Sequence, residues 1–78
     1  NTITVYPNPF SQQTTVSLSK EVKNATVKLI NVLGATVSEN TFTGDKYVLE
    51  KGDLSAGIYF IQVIVDDKVI ANKKVIIQ

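Results

Sequence analysis

Ser38 and Ser55 carry hydroxyls that could serve as nucleophiles, and Asp45, Asp53, Asp66 and Asp67 carry carboxylates that could act as bases or hold a cation. A serine nucleophile needs a neighbour to take its proton, most often histidine, and the chain contains no histidine. Lysine could replace it only if a core this small held the amine buried beside the serine. The aspartates sit beside glycine or as a pair between apolar runs, which is the chemistry of turns. Asp66-Asp67 would bind calcium only with additional oxygen ligands that the sequence does not identify. Cysteine is also absent, which removes thiolates, disulfides and the usual zinc sites. These residues predict no catalytic group, no cofactor and no metal, and a binding or structural module in place of an enzyme.

The wider composition agrees. Seventy-eight residues suffice for one small domain, expected to span 1–78. Eight basic and seven acidic residues leave a net charge of +1, with no basic stretch to follow a nucleic-acid backbone, so no nucleic-acid partner is expected. No apolar run approaches the roughly 20 residues of a membrane helix, and nothing resembles a cleavable signal peptide.

Whatever the chain presents must be positioned by strands, because its apolar period is two throughout. Ile3 and Val5 alternate with threonine until Pro7 and Pro9 stop the run. Thr14, Val16 and Leu18 form a second alternating run, and Ala25, Val27 and Leu29 a third. A tight turn over Asn31–Ala35 with Gly34 at positive φ should follow, then a return strand from Ala35 to Thr41 carrying Val37 inward. A second turn is expected at Gly44-Asp45, a strand with Tyr47 and Leu49 inward, and at most one helical turn over Asp53–Ala56. Gly57 opens the longest strand, with Tyr59, Ile61, Val63 and Val65 on one face and the largely apolar Ile58, Phe60, Gln62 and Ile64 on the other. Such a strand is covered on both faces or offers one to a partner. Asp66-Asp67 turns the chain into a last strand from Lys68 to Gln78. The expected architecture is all-β: an immunoglobulin-like antiparallel β-sandwich of about seven strands.

Four segments stand apart from this alternation. They are Tyr6-Pro7-Asn8-Pro9-Phe10, Asn31-Val32-Leu33-Gly34, Leu54-Ser55-Ala56-Gly57-Ile58-Tyr59-Phe60 and the terminal Lys73-Lys74-Val75-Ile76-Ile77-Gln78. Read singly, they are a rigid strand exit, a hairpin turn, the start of a core strand and a final strand. In this order and spacing they resemble the type A C-terminal sorting domain of cargo proteins of the type IX secretion system of Bacteroidetes, from Val5 to Ile77. The resemblance implies that Pro7, Asn8, Pro9, Asn31, Gly34, Leu54, Gly57 and Tyr59 hold the family's motif positions. It also implies a non-catalytic secretion signal, detached here from a larger upstream cargo to which it is covalently linked. Its partners would be the outer-membrane translocon, the shuttle protein and a cell-surface sortase that commonly cuts before the domain. Its location would be the periplasm in transit, then the cell surface or the medium.

A label that serves many cargoes should carry its information in backbone edges and a few side chains. Val75, Ile76 and Ile77 are consecutive and aliphatic, so a regular strand turns at least one away from the core. The final strand is therefore a candidate recognition element, with Lys73, Lys74, Val75, Ile76 and Ile77 as its residues, a partner pairing with its edge and the lysines guarding that edge. Two other readings remain: an accessory or carbohydrate-binding module of a secreted enzyme, and a fibre-forming domain pairing through its edges. The absence of tryptophan speaks against a flat aromatic sugar platform.

Overall fold

The computed structural model describes residues 2–78. It is all-β, with five strands: β1 (Ile3–Tyr6), β2 (Gln13–Asn31), β3 (Thr36–Glu50), β4 (Gly57–Val65) and β5 (Lys68–Ile77). All strand pairings are antiparallel, with β1, β2, β4 and β5 neighbours in that order and β3 on the other side of β2.

Five strands replace the expected seven because two strands bend where breaks were expected. The Thr14–Leu18 and Ala25–Leu29 runs are both parts of β2, and β3 passes through Gly44-Asp45 without turning. Between Ser17 and Ala25, β2 takes eight residue steps while β3 takes four, from Lys46 to Phe42. The surplus residues let β2 follow the outside of a sharp bend, the usual consequence of bulges. They also reset the alternation: Thr14, Val16 and Leu18 are buried at even positions, Ala25, Val27 and Leu29 at odd ones. Without that reset one half of β2 would point its apolar set to water. The sheet thus folds over itself into two layers, β1 with the first half of β2 and the second half of β3, against the first half of β3, the second half of β2, β4 and β5.

One core fills the space between the layers, with Phe10, Leu29, Ile61, Val63, Val75 and Ile77 among its most buried members. The β4 face of Tyr59, Ile61 and Val63 lies in it, as the alternation predicts, with Val65 packed at its margin. Val37 does not point inward. A bulge between Leu29/Ile30 and Ser38/Thr36 leaves it unpaired on β3, and Ser38, opposite Leu29, takes the inward position. Asp66 and Asp67 form the β4–β5 turn with φ of 51° and 62°, as hairpin turns of this hand require. The segment after β3 contains a turn closed by the Leu54 amide on the Lys51 carbonyl at 3.0 Å, with no helix among the described residues.

Candidate functional site

The β-ladder places the four motif segments at one end of the sandwich, away from the bend in β2. Asn31, the last residue of β2, pairs with Tyr59, and Gly57 pairs with Ile77, so the β2–β3 turn, the start of β4 and the end of β5 share that end. Gln12, just before β2, accepts the Lys51 amide there at 2.8 Å.

The proline segment reaches across to the final strand. Its two X–Pro bonds are cis. The Asn8 side chain lies along the outer edge of β5: its amide nitrogen donates to the Lys74 carbonyl at 3.1 Å and its oxygen accepts the Ile76 amide at 3.0 Å. Phe10 continues the contact with its backbone, donating to Ile76 at 3.0 Å and accepting from Gln78 at 2.8 Å. Phe10 thereby forms a short parallel bridge with Ile77 while its ring enters the core, 2% exposed. Residues 8–10 are thus a strap that occupies the edge of the last strand with four hydrogen bonds. The buried hydroxyl of Thr14 anchors its start, donating to the Pro7 carbonyl at 2.6 Å.

The other motifs are held as firmly. The Asn31 side-chain oxygen accepts the amides of Leu33 and Ala35, both at 3.0 Å. The backbone closes the same turn through Asn31 to Ala35 at 2.9 Å and Gly34 to Asn31 at 3.0 Å. Gly34 adopts φ 86°, which a side chain would strain. This holds the tip residues Val32 and Leu33 in solvent, 67% and 89% exposed. At the start of β4 the Tyr59 hydroxyl donates back to the Ser55 carbonyl at 2.7 Å, pinning the loop in which Leu54 packs on the core. Gly57, at φ 153°, admits the chain to β4.

The expected recognition residues of the last strand divide. Val75 and Ile77 are buried core residues, so neither can touch a partner of the folded domain. Ile76 is the residue turned outward, half-buried and paired with Ile58. Lys73 and Lys74 are exposed, opposite Ile61 and Phe60 respectively. The expectation of an open edge guarded by lysines is corrected between Lys74 and Gln78, where the strap already fills that edge. Sequence reasoning missed this because Asn8 and its partners are 66 and 68 residues apart. The two prolines marked the segment as rigid without indicating what it would touch.

Among the described residues there is no pocket and no cluster of side chains suited to a metal. The Phe42 and Tyr47 rings meet at 5.5 Å and a 43° tilt on the margin of the core, an arrangement of packing and not of an open platform.

Comparison with known proteins follows the same segments. Residues 4–78 match the family described as the secretion system C-terminal sorting domain. The chain is also 36% identical, over 97% of its length, to an endo-acting ulvan lyase of Formosa agariphila, and it spans 15% of that protein.

Proposed function

The chain belongs to the secretion system C-terminal sorting domain family, and on that premise we propose how it is read. The domain is a non-catalytic sorting signal of the type IX secretion system, carried at the C-terminus of a secreted or cell-surface protein and attached to an upstream cargo domain.

In our reading residues 1–78 fold as a single tag domain, and what is recognised is the folded domain, not a linear peptide. The observation that carries this is the strap. The family's first and last motifs are joined by four hydrogen bonds across the full length of the chain. A linear signal at the terminus would have no use for an asparagine near residue 8. Val75 and Ile77 act by holding the strand in the core, Lys74 and Ile76 face the machinery from the outward side, and Lys73, exposed on the Val75 side of the strand, meets it only at the margin. The translocon of the outer membrane, its shuttle protein and a surface sortase read the tag in turn, after the cargo has passed through the periplasm. The related lyase bears such a domain on a far longer chain, which suits a tag that leaves its cargo's fold alone.

The test is a periplasm-directed fluorescent protein carrying residues 1–78 in a Bacteroidetes strain with this secretion system. Export of the intact fusion and retention of the same fusion with Phe10→Ala, which removes a buried ring, is the expected result. Equal export of both, with the variant shown to be unfolded, would assign the signal to linear sequence. Retention of the intact, folded fusion would remove the sorting role.

A further inference from the structure

The outward faces of the two layers differ in character. On the β1–β2–β3 layer the register places the polar Thr4, Ser17 and Lys46 in one row and Tyr6, Thr15 and Val48 in the next, so its exposed apolar residues, Tyr6 and Val48, stand on either side of a threonine and do not adjoin. On the other layer Ile30 lies opposite Phe60, and Ile58 opposite Ile76, forming adjoining apolar pairs at the motif end. Ile58 is 44% exposed, and Val32 and Leu33 project from the turn that directly follows Ile30. Cations border this patch. Lys74 stands opposite Phe60, and Lys28, two residues before Ile30 on the same face, stands opposite Gln62. Glu39 faces Lys28 from β3 and offsets it in part, whereas no acid pairs with Lys74 across β4.

The position of the chain entry decides who can reach this patch. The Ser19 amide donates to the Thr2 carbonyl at 3.0 Å, so β1 begins at the bend, beside the end of the Leu18 run. The motif end is five residues away along β2 at Gln13, about 17 Å at the rise of a strand. Chain upstream of β1 therefore leaves from the end opposite the apolar patch.

We propose that this face, centred on Ile30, Ile58, Phe60 and Ile76 and extended by the Val32–Leu33 tip, docks a separate protein of the secretion apparatus that presents an apolar surface bordered by carboxylates. The inference rests on the sorting role argued above and adds the surface and the chemistry of its partner. An apolar patch with a polar rim is the usual form of a docking site, and charge complementarity at the rim selects the partner and speeds encounter. A second copy of the chain fits less well, because a two-fold contact through this face would bring Lys28 and Lys74 towards one another.

The experiment uses the fluorescent-protein fusion with Ile58→Glu, Leu33→Glu, Lys74→Glu, Lys74→Arg and, on the opposite layer, Val48→Glu. Each is first compared with the parent by urea unfolding. Leu33 lies at a solvent-exposed tip, so its change tests the face without touching the core. The expected result is a fall in export of about tenfold or more for the three glutamate variants on the face, with Lys74→Arg and Val48→Glu near the parent. Parent-like export of Leu33→Glu and Lys74→Glu, with the parent exported, would overturn the docking face and leave the sorting role standing. Failure of the folded parent to be exported would overturn the sorting role and this inference with it. Sedimentation of the isolated domain adds a further outcome: a dimer broken by Ile58→Glu would give the face to a second copy and refute the proposed partner.

Discussion

Replacing Asn8 with alanine tests whether the strap holds the final strand. The substitution removes the donor to Lys74 and the acceptor for Ile76 while leaving both Phe10 backbone bonds in place. A net hydrogen bond contributes about 0.5–1.5 kcal/mol, and exposure at this edge lets water replace part of each. The expected loss for the pair is therefore about 1–2 kcal/mol. A domain of this size is stabilised by roughly 4–12 kcal/mol in all, so Asn8→Ala should remain folded. The corresponding fall in Tm is roughly 5–15 °C. Urea unfolding should show a lower midpoint at unchanged slope, since the buried surface is nearly the same. Amide exchange supplies the specific readout: the Ile76 amide should lose protection, while the Gln78 amide, which donates to Phe10, retains it. Asn8→Asp should keep Ile76 protected but set a carboxylate against the Lys74 carbonyl, giving no better stability than alanine. An unchanged urea midpoint together with unchanged Ile76 exchange in Asn8→Ala would refute the strap.

Other substitutions probe the remaining parts of the motif end. Phe10→Ala removes a ring that is 2% exposed and should cost about 3–5 kcal/mol, seen as a large drop in urea midpoint or as loss of the cooperative transition. Thr14→Val keeps the buried shape but leaves the Pro7 carbonyl without its donor, at a cost of about 1–3 kcal/mol in the same assay. Gly34→Ala forces a side chain into φ 86° and should lower stability by about 1–2 kcal/mol, with Gly34→Asn milder because asparagine tolerates that region better. Tyr59→Phe deletes the bond to the Ser55 carbonyl and should destabilise by about 1 kcal/mol, with faster proteolysis in the 52–57 loop checking that the loss is local.

Much of this architecture is legible in local patterning. The inward sets Thr14/Val16/Leu18, Ala25/Val27/Leu29 and Tyr59/Ile61/Val63 follow from alternation alone, because a strand points successive side chains to opposite faces. The turns at Asn31–Ala35 and Asp66-Asp67 follow from residues that accept positive φ or hydrogen-bond their own backbone. Strand number was not legible. Whether the residues between Leu18 and Ala25 break a strand or bend one depends on β3 running alongside, and β3 is remote in sequence. The inward placement of Val37 failed for the same reason, since a bulge is defined only against its partner strand.

By its sequence alone this protein is an all-β chain without histidine or cysteine, and its four motif segments carry the likeness to a sorting domain. These are properties of residue type, spacing and order, which a linear reading can hold. The tertiary structure decided which of the final aliphatic residues faces out: Val75 and Ile77 entered the core and Ile76 did not. It also brought Asn8 and Phe10 onto the edge of β5 and gathered the four segments at one end, far from where the chain enters. The reason is that edges, register and exposed faces arise only when distant strands meet, and the hydrogen bonds that occupy an edge leave no period in the sequence.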